Sequence, residues 1–430
     1  MPDPVYPLGP AMVGTALRRA GHDVRWFDAL RHAAPAEALA AAIADADPEA
    51  VLLSIRNIDN AAFPNPSRHF EDHLELARVI RERTRAPFVL GGSAFSLMPD
   101  AFLAYLGADA GVVGEGEAAA CELIGALARG ETLPRIHRAP RLEPPFLAPD
   151  RDLFDAAWYY RSGGLANVQT KRGCALRCSY CTYPTLEGSR IRAEEPGDVV
   201  DQLAAIRASG IDHVFIVDAV FNRPESHAAA ICEEILRRGL EISFTGYFAP
   251  QGDLAELPAL LARAGCTAVE LGTDSLSDPV LERLGKGFTA AEAMAYSRRL
   301  GAAGIKQCHN LIFGCPGETD ATIAESVTRM DALAPTAVIA MIGLRVFEGT
   351  PLWRLGGGDA ADGGDPLRPL EPVFFLEEAV AGTVVDTVAR LVDARPNWIS
   401  PGLGRRYNPR YLERLRRRHK GLLWTIYGEP

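Results

Sequence analysis

The chain has 430 residues, of which 48% are hydrophobic, and its formal net charge at pH 7 is −10. This length predicts two or three domains, and no apolar run is long enough to predict a membrane-spanning helix. The acidic balance argues against a nucleic-acid-binding protein, because phosphate binding requires a basic face. Eight cysteines without an N-terminal signal segment favour a reducing cytoplasm over a disulfide-rich secreted protein.

The N-terminal region predicts alternating helices and strands. A helix over 13–20 ends at Gly21, and a strand over 24–27 follows it. Further helices are expected over 35–46 and 71–83, and further strands over 50–54, 88–90 and 110–113. This alternation predicts a doubly wound, Rossmann-like parallel sheet, whose ligands bind at the carboxyl ends of the strands. The polar and glycine residues at those ends are Ser54, Gly91, Gly92, Gly114, Glu115 and Gly116.

Glycine pairs at strand ends are also typical of tight turns, so on their own they leave the ligand open. Residues 136–165 are rich in proline and contain the pair Gly163-Gly164. They predict an extended linker to the next domain.

Three closely spaced cysteines are the strongest chemical signal in the chain: Cys174, Cys178 and Cys181. One loop with this spacing can place three thiolates around a [4Fe–4S] cluster and leave one iron without a protein ligand. A structural zinc site is the alternative. Such a site normally needs four ligands, whereas the next cysteine and histidine along the chain are Cys232 and His213.

Six predicted strands, each followed by a loop or helix, extend from the cysteine region towards residue 342. They cover 167–170, 213–217, 242–246, 268–272, 307–314 and 338–342. Repeated strand–helix units of this length predict a partial (β/α)6 barrel, in which catalysis occurs at the carboxyl ends of the strands. The candidate residues at those ends are Asp218, Glu270, Gly272, Asn310, Pro316 and Gly317. Each could also be a helix cap, an ion-pair partner or a turn residue.

The cysteine spacing, with the aromatic Tyr180 before the third cysteine, resembles the CxxxCxφC signature of the radical S-adenosylmethionine (SAM) enzymes. In that family the open iron binds the amino and carboxylate groups of SAM. The resemblance implies that Tyr180 and the six candidate residues of the barrel contact SAM. Residues 1–135 resemble the cobalamin-binding domain that precedes many radical SAM barrels, which implies cobalamin contacts at the six residues of the first sheet.

The chain departs from that family in one motif, Asp-x-His-x-x-Gly, whose histidine can ligate cobalt. Leu30 occupies the histidine position, and His32 lies two residues later. We therefore expect no histidine ligand on cobalt.

The resemblance implies a cobalamin-dependent radical SAM enzyme of the class B methyltransferase type. It would transfer a methyl group to an unactivated carbon of a small molecule or natural product through a 5′-deoxyadenosyl radical. A non-methylating cyclase or rearrangement enzyme, and a radical SAM enzyme with a vestigial, corrin-free N-terminal domain, remain alternatives. Expected partners are a small-molecule substrate and an electron donor such as flavodoxin or ferredoxin. The expected units are a cobalamin-binding domain (1–135), a linker (136–165), a radical SAM barrel (166–355) and a mixed helical extension (356–430).

Overall fold

A computed structural model of the chain describes residues 4–355, 370–404 and 409–426. In these ranges the backbone forms two parallel β-sheets with flanking helices, and two short antiparallel hairpins. No helix within them is long and apolar enough to cross a membrane. The predicted α/β fold class is confirmed.

The first sheet has four parallel strands in the order of the chain. They are β1 (Val51–Ser54), β2 (Phe88–Gly91), β3 (Ala110–Val113) and β4 (Ile136–Arg138). The helices of this unit are α1 (Leu8–Arg19), α2 (Pro35–Ala46), α3 (Glu71–Arg83), α4 (Ser93–Leu97), α5 (Pro99–Leu106) and α6 (Gly116–Ala128). Proline at the first position of α2 and of α5 costs no hydrogen bond and favours the helical φ.

The predicted strand over 24–27 is wrong, because residues 22–28 form neither helix nor strand. A strand needs a hydrogen-bonded neighbour, and β1, the strand at this edge of the sheet, pairs with β2. Trp26 is accordingly 43% exposed. The predicted linker also differs from expectation, since it contributes β4 to the first sheet and the helix α7 (Ala156–Gly163).

The second sheet contains the six strands that the sequence predicts. They are β5 (Ala166–Val168), β8 (His213–Ile216), β9 (Ser243–Phe248), β10 (Cys266–Asp274), β11 (Lys306–Phe313) and β12 (Ala337–Ile342). A hairpin of β6 (Lys171–Arg172) and β7 (Arg192–Ala193) follows β5. The helices between the strands are α8 (Tyr183–Leu186), α9 (Pro196–Ala208), α10 (Glu225–Arg238), α11 (Leu257–Arg263), α12 (Asp278–Leu284), α13 (Ala290–Ala302) and α14 (Asp320–Leu333).

Side chains of β10 alternate between the helices and the interior of the curved sheet. Val269 and Leu271 belong to the core shared with the surrounding helices. Ala268 packs instead in a small cluster with Trp424, and Glu270 faces the same way, since it bonds to the Trp424 indole. This alternation leaves polar side chains on the inner face of the barrel.

The C-terminal region completes the barrel core. Its elements are β13 (Leu344–Arg345), α15 (Pro351–Leu355), β14 (Phe374–Phe375), α16 (Glu378–Ala381), α17 (Val384–Ala394), β15 (Trp398–Ile399) and α18 (Pro409–Arg418). The short strand β15 pairs in parallel with β12 as a seventh strand. Trp398 is 1% exposed and packs with Phe313 and Val388. The predicted C-terminal extension is therefore helical and mixed, but it also supplies part of the barrel.

Candidate functional site

The loop between β6 and β7 carries the three cysteines of the predicted cluster, Cys174, Cys178 and Cys181. It begins just beyond the carboxyl end of β5, so it lies at the mouth of the barrel. Backbone hydrogen bonds fix the loop: Ser179 donates to the Leu284 carbonyl at 2.8 Å and accepts from the Leu352 amide at 2.8 Å. The cysteines are thus presented by a held loop rather than by a free segment.

Burial raises the pKa of all three cysteine thiols, and that of Cys181 to about 12. A thiolate in such surroundings needs a positive partner, which a soft metal ion supplies when it displaces the proton. Within the described residues, no three His, Cys, Asp or Glu side chains converge closely enough to hold one metal ion. The assignment of the three cysteines to a cluster therefore rests on their spacing.

A buried ion pair lies beside the cysteine loop. The Lys286 ammonium is 2.7 Å from the Asp274 carboxylate, which also accepts a hydrogen bond from the Tyr180 hydroxyl. Asp274 has a left-handed backbone with φ of 60°, which is uncommon for a residue other than glycine. Lys286 acts electrostatically to lower the pKa of Cys178 and Cys181, against the larger effect of burial. It is therefore a fixed cation beside the predicted cluster.

Asp218 is fully buried, and donors already occupy both of its carboxylate oxygens. It accepts from the Thr170 amide at 2.7 Å, the Thr170 hydroxyl at 2.6 Å and the Lys171 ammonium at 2.7 Å. These bonds hold the chain immediately before the cysteine loop. The geometry gives Asp218 an anchoring role, and the SAM contact that the resemblance implied stays a prediction.

Glu270 and Asn310 lie on neighbouring strands and face the barrel interior. Glu270 accepts a hydrogen bond from the Trp424 indole at 2.9 Å, and burial raises its pKa. Alternation allows only one of His309 and Asn310 to point inward. His309 is fully buried on the helix side, 2.8 Å from the Thr273 hydroxyl, which leaves Asn310 half-buried towards the interior. The half-buried Gly272 follows Glu270 along the same face.

Pro316 and Gly317 form the turn between β11 and α14. Glu318 organises this turn, because its carboxylate accepts hydrogen bonds from the amides of Gly314 and Cys315. The Gly317 amide donates to the Glu377 carboxylate at 2.5 Å. Backbone contacts thus fix the turn, and its place in the predicted SAM site stays a prediction.

Glu318 should make stability depend on pH. Burial raises its pKa to about 7 from an ordinary value of 4.5. The neutral form is favoured in the folded chain, so its stabilising effect is complete below about 4.5 and disappears as the pH rises through about 7. The rise in pH should therefore lower the free energy of unfolding by roughly 3 kcal/mol, and we expect Glu318→Gln to abolish this decrease. Unfolding by urea at pH 5 and pH 8 measures it, and an equal pH dependence in both proteins would contradict it.

The carboxyl edge of the first sheet presents Ser54 and Gly91 side by side in register. A Cβ on Gly91 would meet no atom closer than 4.0 Å, so the space above it is open. Gly92 differs, because its φ is +97° and a Cβ there would lie 2.5 Å from the Ile55 carbonyl oxygen. The fold itself requires glycine at 92, whereas at 91 it leaves room for a ligand.

The loop after β3 contains Gly114, Glu115 and Gly116. The Gly114 amide donates to the Ser96 hydroxyl at 3.0 Å. Glu115 does not point to the open edge: its carboxylate bonds to Arg172 at 2.8 Å and to Arg192 at 2.5 Å. These arginines outweigh the opposing effect of burial and hold the pKa of Glu115 below its ordinary value. Glu115 therefore contacts the barrel, and its predicted cobalamin contact stays a prediction.

Leu30 and His32 lie on the surface. Leu30 is 63% exposed, and the exposed His32 imidazole stacks on the Phe27 ring with 4.9 Å between centroids. The absence of a histidine ligand on cobalt stays a prediction.

Sequence reasoning missed the ion pairs of this region. Lys286 and Asp274 are distant from the cysteines in sequence, and so are the partners of Arg172 and Arg192. A sequence shows charged residues but not which of them meet across two sheets. The one available signal was the position of Arg172, two residues before the first cysteine.

Two family models match the chain. Residues 168–330, which include the cysteine loop, match the Radical SAM superfamily, and residues 2–124 match the B12 binding domain. A tryptophan 2-C-methyltransferase from Streptomyces laurentii is 27% identical over 80% of this chain and 71% of its own length. A hopanoid C-3 methylase from Methylococcus capsulatus is 28% identical over 69% of this chain and 59% of its own.

The fold is similar to a solved structure of the radical SAM methyltransferase TsrM from Kitasatospora setae with cobalamin and a [4Fe–4S] cluster bound. That structure is 25% identical, has a TM-score of 0.85, and covers 99% of this chain and 94% of its own. A second TsrM structure, with tryptophan and a SAM analogue bound, superposes equally well. The two matched models, in this order along one chain, show that the protein belongs to the radical SAM enzymes that carry an N-terminal cobalamin-binding domain.

Proposed function

We propose that the protein is a cobalamin-dependent radical SAM enzyme that transfers a methyl group to an unactivated carbon of a small molecule through a 5′-deoxyadenosyl radical. One observation carries the proposal. The cysteine loop of the barrel and the open edge of the cobalamin-binding unit are joined through Glu115, which bonds to Arg172 two residues before Cys174. The loops that carry the two predicted cofactor sites are therefore in contact, which supports the proposal.

The residues divide between three groups. Cys174, Cys178 and Cys181 would hold the cluster, which leaves one iron for SAM. The residues that would contact SAM are Tyr180, Asp218, Glu270, Gly272, Asn310, Pro316 and Gly317. Those that would contact cobalamin are Ser54, Gly91, Gly92, Gly114, Glu115 and Gly116. When bound, the cluster and SAM would supply one-electron chemistry, and cobalamin would supply a methyl carrier. No side chain offers either.

The chain itself positions and shields the reacting groups. Asp218 anchors the segment before the cysteine loop, and the Leu284 and Leu352 backbones hold the loop from the other side. Glu270 and Asn310 place polar groups on the inner face of the barrel. Such a surface can orient a small polar substrate while it keeps bulk water away from a radical.

Labelled SAM tests the proposal. The protein is reconstituted anaerobically with iron, sulfide and cobalamin, and then given SAM with a deuterated methyl group and a strong reductant. Tryptophan is the first substrate to test, because one similar protein is named a tryptophan 2-C-methyltransferase and the TsrM structure has tryptophan bound as substrate. Mass spectrometry should find a deuterated methyl group on a carbon of the product, with two SAM consumed per product.

The same experiment separates the alternatives. Substrate-dependent 5′-deoxyadenosine with a rearranged but unmethylated product would replace our proposal with a cyclase or rearrangement enzyme. Reconstituted protein that shows cluster absorbance but retains no cobalamin would indicate a corrin-free N-terminal unit.

An external electron donor is part of the proposal, since the cluster must be reduced before each reaction. We propose flavodoxin or ferredoxin in a reducing cytoplasm. Replacement of the chemical reductant by either protein with its reductase should sustain turnover.

Lys286 should raise the reduction potential of the predicted cluster. Loss of a buried cation beside the thiolates disfavours the more negative, reduced state, so Lys286→Met should lower the reduction potential. Asp274→Asn should raise it, because it removes the neighbouring anion and asparagine tolerates the left-handed backbone. Spectroelectrochemical titration measures both. Lys420→Met is the control, since its ammonium bonds to backbone near the opposite end of the barrel at 3.1 Å. Shifts of the same sign in both variants would contradict this role.

A further inference from the structure

Four buried charges lie between the cobalamin-binding unit and the barrel. Glu115 and Glu117 come from the loop and first turn at the start of α6, and Arg172 and Arg192 come from the β6–β7 hairpin. Arg172 is 2.8 Å from Glu115 and 2.5 Å from Glu117. Arg192 is 2.5 Å from Glu115. No more than 9% of any of these side chains is exposed. We call these four residues the bridge.

The bridge is balanced in charge and closed to solvent. Two carboxylates meet two guanidinium groups, which match them with paired N–H donors. The Phe146 ring covers the bridge, with the Arg172 guanidinium carbon 4.3 Å from its centroid. Charges in such a setting are held in place, because removal of one partner leaves another buried without compensation. The contact is therefore stiff, unlike an exposed ion pair.

Each end of the bridge adjoins one predicted cofactor loop. Glu115 stands between Gly114 and Gly116, at the carboxyl edge of the first sheet. On the other side, Arg192 donates to the Glu187 carbonyl at 2.9 Å, and the Glu187 carboxylate accepts from the Gly173 amide at 2.9 Å. Gly173 directly precedes Cys174. A short series of polar contacts thus connects the two loops.

We propose that the bridge positions the two cofactors relative to each other, by fixing the cysteine loop against the loop of residues 114–116. This inference rests on the proposed function. The four residues are positioning residues, since they act through the loops on which they stand. Their loss should let the loops move independently and should separate SAM cleavage from methyl transfer.

Glu117→Gln tests the bridge, because it keeps the size of the side chain and removes one charge. The matched control is Glu143→Gln, which breaks an exposed ion pair with Arg190 close to the same hairpin. Hydrogen exchange of the full chain without cofactors is the first measurement. We expect exchange to quicken at least about tenfold in both loops, residues 113–117 and 171–174, and to remain unchanged in the control. Faster exchange confined to 113–117 would overturn the proposal, because it shows only a local structural role.

The second measurement uses the reconstituted protein. Pulsed electron paramagnetic resonance gives the dipolar coupling between reduced cluster and cob(II)alamin, and hence their separation. In Glu117→Gln the distribution of separations should broaden at unchanged iron and cobalt content. A distribution identical to that of the wild type would overturn the proposal.

Two further outcomes are also decisive. If Glu117→Gln does not fold, Glu117→Asp is measured instead, since aspartate keeps the charge on a shorter side chain. An unchanged distribution of cluster–cobalamin separations in folded Glu117→Asp would equally overturn the proposal. Wild-type protein that retains no cobalamin overturns the proposed function and this inference together. Wild-type protein with both cofactors and an insensitive Glu117→Gln overturns the inference alone.

Discussion

Alanine at Cys174, Cys178 or Cys181 is expected to abolish both cluster binding and SAM cleavage. A cluster left with two thiolates loses a soft ligand, and the next cysteine along the chain, Cys232, is buried in a hydrophobic core. Iron content after anaerobic reconstitution should fall to background in each variant, and 5′-deoxyadenosine formation should fall at least about a thousandfold.

Three other cysteines serve as controls for that result. Cys121 is half-buried on α6, and Cys232 and Cys266 are buried in the hydrophobic cores. Their alanine variants should keep wild-type iron content. Cys232→Ala and Cys266→Ala should each lower the free energy of unfolding, because both side chains are buried. Iron binding and 5′-deoxyadenosine formation that survive in any variant of the three loop cysteines would show the cluster assignment to be wrong.

The second large effect is expected at Gly91. Gly91→Val should lower cobalamin retention at least about tenfold, because its side chain would enter the open space over the carboxyl edge. We expect the fold to tolerate the change, since the nearest atom to the new Cβ would be the Val112 carbonyl oxygen at 4.0 Å and valine suits a strand. The cluster belongs to a separate sheet, so SAM cleavage should continue while methyl transfer is lost. The cobalt-to-protein ratio after gel filtration measures the effect.

Gly92→Val provides the comparison. At this position the side chain would collide with the Ile55 backbone, and φ is positive. We expect lower thermal stability of the N-terminal unit, which would reduce cobalamin binding for a structural reason. Gly91→Val protein with wild-type stability and an unchanged cobalt ratio would refute the cofactor placement.

Periodicity predicted most of the fold, because buried parallel strands and amphipathic helices leave strong patterns. The helices over 35–46 and 71–83 and the six barrel strands are examples. The strand over 24–27 has the right composition but no pairing partner, and pairing is a property of the sheet rather than of the segment. The two residues of β15 were too few to show a period.

The candidate site was predictable only in part. Cysteine spacing is local, so the loop could be read directly from the sequence. Glu115 and Asp218 were placed at strand ends correctly, but their contacts were not foreseen, since Arg172 and Lys171 reach them from a different element. Inward and outward orientation was likewise ambiguous for His309 and Asn310 until the neighbouring Thr273 and Ser297 were located.

The pairing of β15 with β12 has a consequence for biosynthesis. Trp398 fills the core beside Phe313, yet it is made after every other strand of the barrel. While the chain emerges from the ribosome, β12 is a bare edge with unpaired amide and carbonyl groups, which favours pairing with other chains. Nascent chains arrested before residue 398 should therefore aggregate, and cells that produce this protein should depend on chaperones until Trp398 and Ile399 have been added.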